Sequence, residues 1–195
     1  MKLSAHPKVV RRFWTNSLLV NGIEQTGPYT EKLWRIGLKF ILEDRSFQPR
    51  NILVFGVGGG TVFGAFAKAY PKACMTGVDV DPEIIRIGKT YFGLDKLPHL
   101  MLVTEDARDY SEHQKYDLVI VDLYIGNDVP GFVTENPFLS KVRRLLPPGG
   151  RMIMNYFRQR NQDQHAQKLF KRLSAIYAKT EHRSVLRNIF FSVIK

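Results

Sequence analysis

Cysteine is nearly absent from this chain: Cys74 is the only one in 195 residues, so an internal disulfide is excluded. Its position in an apolar stretch predicts a packing role rather than a reactive one. The five histidines, at positions 6, 99, 113, 165 and 182, have no ligand spacing, and no metal site is expected. No apolar run approaches the roughly 18 residues needed to cross a membrane, and residues 1–7 contain no signal-peptide core, so a cytoplasmic protein without membrane contact is expected. Tandem repeats and low-complexity tracts are missing too, which excludes a solenoid. What remains, 44% apolar and 24% charged over 195 residues, is enough for one well-cored globular domain with a small N-terminal appendage.

Acidic residues are unevenly scarce. Residues 1–50 carry nine Lys/Arg against four Asp/Glu, 51–140 carry seven against twelve, and 141–195 carry thirteen against two. The three segments therefore have net charges of +5, −5 and +11. A basic C-terminal segment fits a nucleic-acid surface or a solvated helix face. Lys168, Lys171 and Arg172 alternate with Leu169, Phe170 and Leu173, the pattern of an amphipathic helix covering a sheet, so the solvated face is favoured over nucleic acid.

The most informative stretch is 51–81. Ile52-Leu53-Val54-Phe55 reads as a parallel strand buried on both faces, and it runs into Gly56-Val57-Gly58-Gly59-Gly60. A helix follows with Val62, Phe63, Phe66, Ala67 and Tyr70 on one stripe; Pro71 stops it, and a second strand spans about Ala73 to Val80. Asp79 lies 19 residues beyond Gly60, at a strand end. Glycines at such a turn let the backbone approach a ligand, and an acid at the next strand end accepts hydrogen bonds from ribose hydroxyls, so the unit reads as a nucleoside site.

Around that unit the chain reads in order. Residues 1–16 are basic and carry few structural signals. Leu18 to Gln25 forms two short strands about Asn21-Gly22, and Gly27-Pro28 ends them. Thr30 is expected to cap a helix to about Asp44, with Leu33, Trp34, Gly37, Leu38 and Ile41 on its buried side. Asp81 caps the next helix, Pro82 opens it, Ile84, Ile85, Ile87 and Gly88 line one side, and Gly93 stops it. Strands at 100–104 and 117–121 end in Glu105-Asp106-Ala107 and in Asp122-Leu123-Tyr124. In an open parallel sheet these ends share one edge, so Asp79, Asp106 and Asp122 are expected to converge on one cleft. A helix from Thr134 to about Leu146, a fifth strand from Arg151 to Tyr156, a helix from Asp163 to Tyr177 and a terminal hairpin turning near Arg187-Asn188 complete the chain.

Over residues 17–195 the chain resembles the spermidine synthase (polyamine aminopropyltransferase) superfamily. The matching stretches are LLVNGIEQ with PYTEKLW, ILVFGVGGGT, VDVDPEII with KTYFGL, EDARDY, YDLVIVDLY and LLPPGG, in that order. The resemblance implies a Rossmann-like α/β domain over 48–195 with seven strands, the last antiparallel, preceded by a hairpin-and-helix appendage over 1–47. It implies an S-adenosylmethionine or decarboxylated S-adenosylmethionine cofactor. Its binding residues would be Gln25, Gly56, Gly58, Gly59, Gly60, Asp79 on the ribose with Val80 beside it, and Asp106 with Ala107 on the adenine. Asp122, with Tyr124 nearby, would be the catalytic pair, Asp122 taking a proton from the acceptor. Relatives are commonly dimeric, and Leu18-Leu19-Val20 with Trp34 are the candidate contacts of a homodimer.

Two departures bear on the chemistry. The family's loop is G-G-G-D-G-G, and its Asp, which contacts the cationic tail of the decarboxylated cofactor, falls on Gly58; the second Asp of D-x-x-D-P falls on Ile125 and the Pro on Gly126. The family's Tyr-His pair is reduced to Tyr29-Thr30. A loop acid repels the carboxylate of the intact cofactor by about 4 kcal/mol at roughly 4 Å and an effective dielectric near 20, a discrimination of about a thousandfold. With Gly58 that repulsion is gone, and backbone N–H groups of the glycine turn and helix start are expected to hold the carboxylate instead. The favoured reading is methyl transfer to an unidentified small-molecule acceptor. Aminopropyl transfer to a polyamine and a non-catalytic nucleoside-binding or RNA-associated protein stand as alternatives.

Overall fold

The computed structural model describes residues 6–12, 15–111, 114–126, 128–157 and 163–195. It opens with a three-stranded antiparallel sheet of β1 (Pro7–Arg12), β2 (Thr15–Val20) and β3 (Ile23–Thr26), followed by α1 (Pro28–Leu42). Then come β4 (Asn51–Phe55), α2 (Thr61–Ala69), β5 (Cys74–Asp79), α3 (Pro82–Phe92), β6 (Leu100–Thr104) and β7 (Leu118–Val121). The chain closes with α4 (Asn136–Leu145), β8 (Arg151–Phe157), α5 (Asp163–Ile176), β9 (Lys179–Val185) and β10 (Asn188–Ile194).

The main sheet has seven strands in the order β6-β5-β4-β7-β8-β10-β9. The first five are parallel, and β10 slots between β8 and β9 antiparallel to both, as the sequence resemblance implies. From β4 the chain winds outward through β5 and β6, then returns to β7 on the other side. The crevice between the carboxyl ends of β4 and β7 is thus the switch point at which such sheets bind ligands.

Alternation along the central strands feeds two cores. Leu53 and Phe55 join Val119, Leu139, Val142, Leu169 and Leu173 beneath α4 and α5. Ile52 and Val54 join Leu33, Trp34, Phe63, Phe66, Ile84 and Phe190 beneath α1, α2 and α3. Gly37 lets α1 lie close on β10, since a Cβ there would stand 2.7 Å from the Phe190 ring. Trp34 meets that ring edge-to-face at 5.1 Å. The Ile41 side chain lies outside the described residues.

Several expectations are corrected. β1 was not foreseen in the basic 1–16 segment; Pro-Lys-Val-Val-Arg-Arg gains its strand conformation by pairing with β2 from Pro7↔Val20 to Arg12↔Thr15, and a Pro start with charged residues suits an edge strand. The α1 cap is Gly27, not Thr30; Thr30 sits one turn in, and its Oγ1 accepts the Gly27 N–H at 2.9 Å. Cys74 is exposed, because it is the first residue of β5, where the strand enters from the sheet edge. The terminal hairpin turns at Leu186-Arg187, with Leu186 at φ +56°, so Asn188 is a buried strand residue rather than a turn residue. Leu18 (0% exposed) and Trp34 (2%) are buried within the chain and are not available to a second subunit.

Candidate functional site

The carboxyl edge of the parallel strands opens into one cavity of about 1170 Å³. The three-stranded sheet and the start of α1 form its roof; the glycine turn and the loops after β5, β6 and β7 form its floor. Asp79, Asp106 and Asp122 all line it.

On the nucleoside side, the Asp79 carboxylate accepts the Val57 N–H at 2.9 Å and the Asp81 N–H at 3.0 Å. Burial pushes its pKa up, and these backbone donors, with that of Gly58, oppose the shift. Asp79 is therefore half-buried and helps hold the turn, rather than being a purely solvated acid. Val80, 46% exposed, offers an apolar surface beside it. Asp106 accepts the Arg108 backbone N–H at 2.8 Å and pairs with its guanidinium at 2.6 Å, which holds the carboxyl below the usual range. Ala107 is buried at the wall, its carbonyl and that of Arg108 held by the Lys141 ammonium at 3.1 and 2.7 Å. Gln25 reaches over from β3 to donate to the Gly126 carbonyl at 3.1 Å.

The glycines divide. Gly56 and Gly58 line the cavity, whereas Gly59 and Gly60 do not. Gly56, at φ +96°, passes so close to the β7 end that a Cβ would lie 2.2 Å from the Asp122 carbonyl oxygen. The Gly59 N–H is bound by Thr26 Oγ1 at 2.7 Å, and Gly60 packs on Leu94. The expectation that the turn's amides would be free is corrected: Val57 donates to Asp79, Gly59 to Thr26 and Gly60 to the Val57 carbonyl at 3.0 Å. At the start of α2 the first helical bond is Gly64 N–H to the Gly60 carbonyl at 3.1 Å, and no side chain caps the turn. As at any helix start, the first N–H groups of α2 have no intrahelical acceptor, so the helix start rather than the turn is where donors are offered.

On the opposite side, Asp122 accepts the Trp34 indole N–H at 3.2 Å and the Asn155 amide at 2.9 Å. Burial pushes its pKa up to about 6 against these two donors. Tyr124 gives its hydroxyl proton to the Asn155 backbone carbonyl at 2.9 Å, and burial, then the charge of Asp122, raises its pKa well above the phenol range. It lines the cavity as a hydroxyl whose proton is held on that carbonyl. Sequence reasoning missed Asn155, Asn188, Thr26 and the polar role of Trp34. Asn155 had a legible signal, a polar residue inside the apolar run of β8.

The residues present suit an adenosyl group. Asp79 retains lone pairs at the cavity wall, Asp106 stands one loop away, and Val80, Ala107 and Leu123 supply apolar lining to the same cavity.

A family profile described as a methyltransferase domain matches residues 52–150. The polyamine aminopropyltransferase of Vibrio vulnificus is 30% identical over 145 residues, covering 71% of this chain and 48% of that protein. The human eEF1A lysine and N-terminal methyltransferase is 29% identical over 122 residues, covering 55% of this chain and 17% of that protein. The chain thus spans about half or less of the length of these relatives. Among solved structures, a probable spermidine synthase from Corynebacterium glutamicum superposes with a TM-score of 0.81 at 20% identity, over 98% of this chain and 77% of that one. Human methyltransferase-like protein 13, in complex with SAH, gives 0.69 at 22% identity, over 86% and 82%. The chain belongs to the methyltransferase-domain family and has a spermidine synthase-like fold.

Proposed function

We propose that this protein binds S-adenosylmethionine and transfers its methyl group to an amine acceptor, with Asp122 as the base. The observation that carries the reading is the continuity of the cavity: Asp79 and Asp106 on one side and Asp122 on the other line a single space of about 1170 Å³. That is more room than one drug-sized ligand usually takes, and it leaves space for an acceptor. When bound, the cofactor supplies a methyl carbon activated by a sulfonium.

The chain's own residues supply position and proton transfer. Asp79 orients the ribose, Asp106 and Ala107 the adenine. Asp122, ionised above about pH 6, faces the acceptor and takes a proton from its nitrogen. Two similarities support an amine: one relative is named for polyamines, the other for lysine and N-terminal amines. Gly58 and Ile125, standing where the aminopropyltransferase pattern has carboxylates, favour methyl over aminopropyl transfer. The 30% identity to a polyamine aminopropyltransferase keeps aminopropyl transfer as the second reading.

The test is transfer of labelled methyl from S-adenosylmethionine to spermidine, to lysine peptides and to peptides with free N-termini. Labelling of at least one amine, lost in Asp122→Asn, is expected. Binding of the cofactor with no labelling of any amine, or labelling unaffected in Asp122→Asn, counts against the assignment.

A further inference from the structure

The Asp122 carboxylate is the end of a hydrogen-bond chain that begins on other elements of the fold. The Tyr29 hydroxyl, on α1, donates to Asn188 Oδ1 at 2.7 Å. Asn188, the first residue of β10, donates through Nδ2 to Asn155 Oδ1 at 2.8 Å. Asn155, on β8, donates through Nδ2 to Asp122 Oδ1 at 2.9 Å. Both asparagines are 4% exposed. Every donor points the same way, toward the acid.

That direction is enforced. The fixed end is the ionised Asp122 carboxylate, which only accepts: it draws the Asn155 NH₂, which leaves the Asn155 carbonyl oxygen for the Asn188 NH₂ and turns Asn188 Oδ1 to the Tyr29 hydroxyl, while Tyr124, whose own proton is on the Asn155 backbone carbonyl, accepts from Asn188 Nδ2 at 3.4 Å. Removing the donor on Asn188 frees the Asn155 amide to flip and present an oxygen to the carboxylate. A buried polar chain of this kind is satisfied as a whole or not at all.

We propose that Asn188, acting through Asn155, is a positioning residue for Asp122: the C-terminal hairpin, not only the loop carrying the acid, fixes where its carboxylate points. This rests on the reading of Asp122 as the base. The other ionisable groups about the cluster are the phenols Tyr29 from α1, Tyr124 from the loop after β7 and Tyr156 from β8, the last two raised in pKa by burial, and the carboxylate of Glu24 from β3, which accepts the Tyr29 N–H at 3.0 Å. Arg187, between β9 and β10, and Arg108, after β6, line the same cavity.

The test uses a reporter already in the chain. Trp34 donates its indole N–H to Asp122, and Trp14 is the only other tryptophan, so a ¹⁵N-labelled sample gives two indole signals that Trp14→Phe assigns. The Trp34 signal of the ligand-free chain should titrate with the acid, with an inflection near 6. Asn188→Val, shaped for a strand but without a donor, should raise the inflection by about half a unit or more, because the ionised acid loses an oriented hydrogen bond. Asn188→Thr, the same shape with a hydroxyl to donate, should return it toward wild type.

A side chain that only packs would give the same inflection in Val and Thr variants. An unchanged inflection in Asn188→Val, or a Trp34 signal without any inflection in the wild type, overturns the proposal. If Asn188→Val does not fold, Tyr29→Phe keeps the β10 sequence and removes the donor on Asn188 Oδ1, together with the acceptor of the Arg187 N–H; an unchanged inflection there overturns it equally. Because no cofactor is present, failure here is separate from failure of the transferase reading, which cofactor binding and methyl transfer test.

Discussion

Thr26 holds the amide N–H of Gly59 on its hydroxyl oxygen at 2.7 Å, so the last residue of β3 pins the glycine turn of the main domain. The N-terminal sheet is thereby tied to the turn beside the cavity. Thr26→Val keeps the shape and removes the acceptor, leaving a buried N–H unpaired. It should lower stability by about 1–3 kcal/mol in denaturant unfolding and weaken S-adenosylhomocysteine binding, while Thr26→Ser retains most of both. Equal stability of the Val variant and wild type would show that the contact contributes nothing.

Asp79 faces two demands, the turn and the ligand. Asp79→Ala should lose about 1–3 kcal/mol of stability, because the Val57 and Asp81 N–H groups lose their acceptor. Asp79→Asn, which accepts at only one atom, should cut methylthioadenosine affinity by about tenfold or more in calorimetry, which corresponds to about 1.4 kcal/mol. Binding that is unchanged in both variants removes Asp79 from the site. Asp106→Ala should weaken binding less, since on the proposed reading apolar wall residues would also hold the adenine.

The Asp122 carboxyl is predicted to leave a signature in stability as a function of pH. Its folded pKa is raised to about 6 from the ordinary 3.8, so the folded chain holds the proton more tightly than the unfolded one. The stabilisation is therefore complete at low pH and is lost as pH rises through the folded value. Relative to Asp122→Asn, the wild type should lose up to about 3 kcal/mol of unfolding free energy from about pH 4 to about pH 7. A difference that is flat across this range means the acid is solvated.

The three acids were legible because each ends an apolar strand, and in an open parallel sheet all such ends share one edge. The β4 to β5 unit was equally readable, since its period, glycine turn and Asp81 cap are local signals. Asn155 and Asn188 were not read, because their partners lie on other strands and on α1; Asn188 also resembles turn chemistry, and only the register Asn188↔Phe157 reveals it as a buried strand position. Whether a turn glycine lines the cavity, as Gly58 does, or only packs on the roof, as Gly59 does on Thr26, depends on backbone angles that the letter G leaves open. The short basic β1 takes its conformation from β2, a non-local pairing.

Gly58→Asp is feasible on steric grounds. A Cβ there meets Thr26 Oγ1 at 3.4 Å and the Gln25 carbonyl oxygen at 3.8 Å, and Asp tolerates the φ of +51° better than most residues. The added acid should reduce affinity for intact S-adenosylmethionine and raise it for the decarboxylated form. No change in either places residue 58 away from the cofactor tail.

The most direct measurement is calorimetric titration of the wild-type chain with intact and with decarboxylated S-adenosylmethionine under identical conditions. With Gly58 in place of a loop acid and Ile125 in place of the second acid, the intact form should bind at least as tightly as the decarboxylated one. Decarboxylated S-adenosylmethionine binding tenfold or more tightly, about 1.4 kcal/mol, would contradict the account and return the chain to aminopropyl transfer.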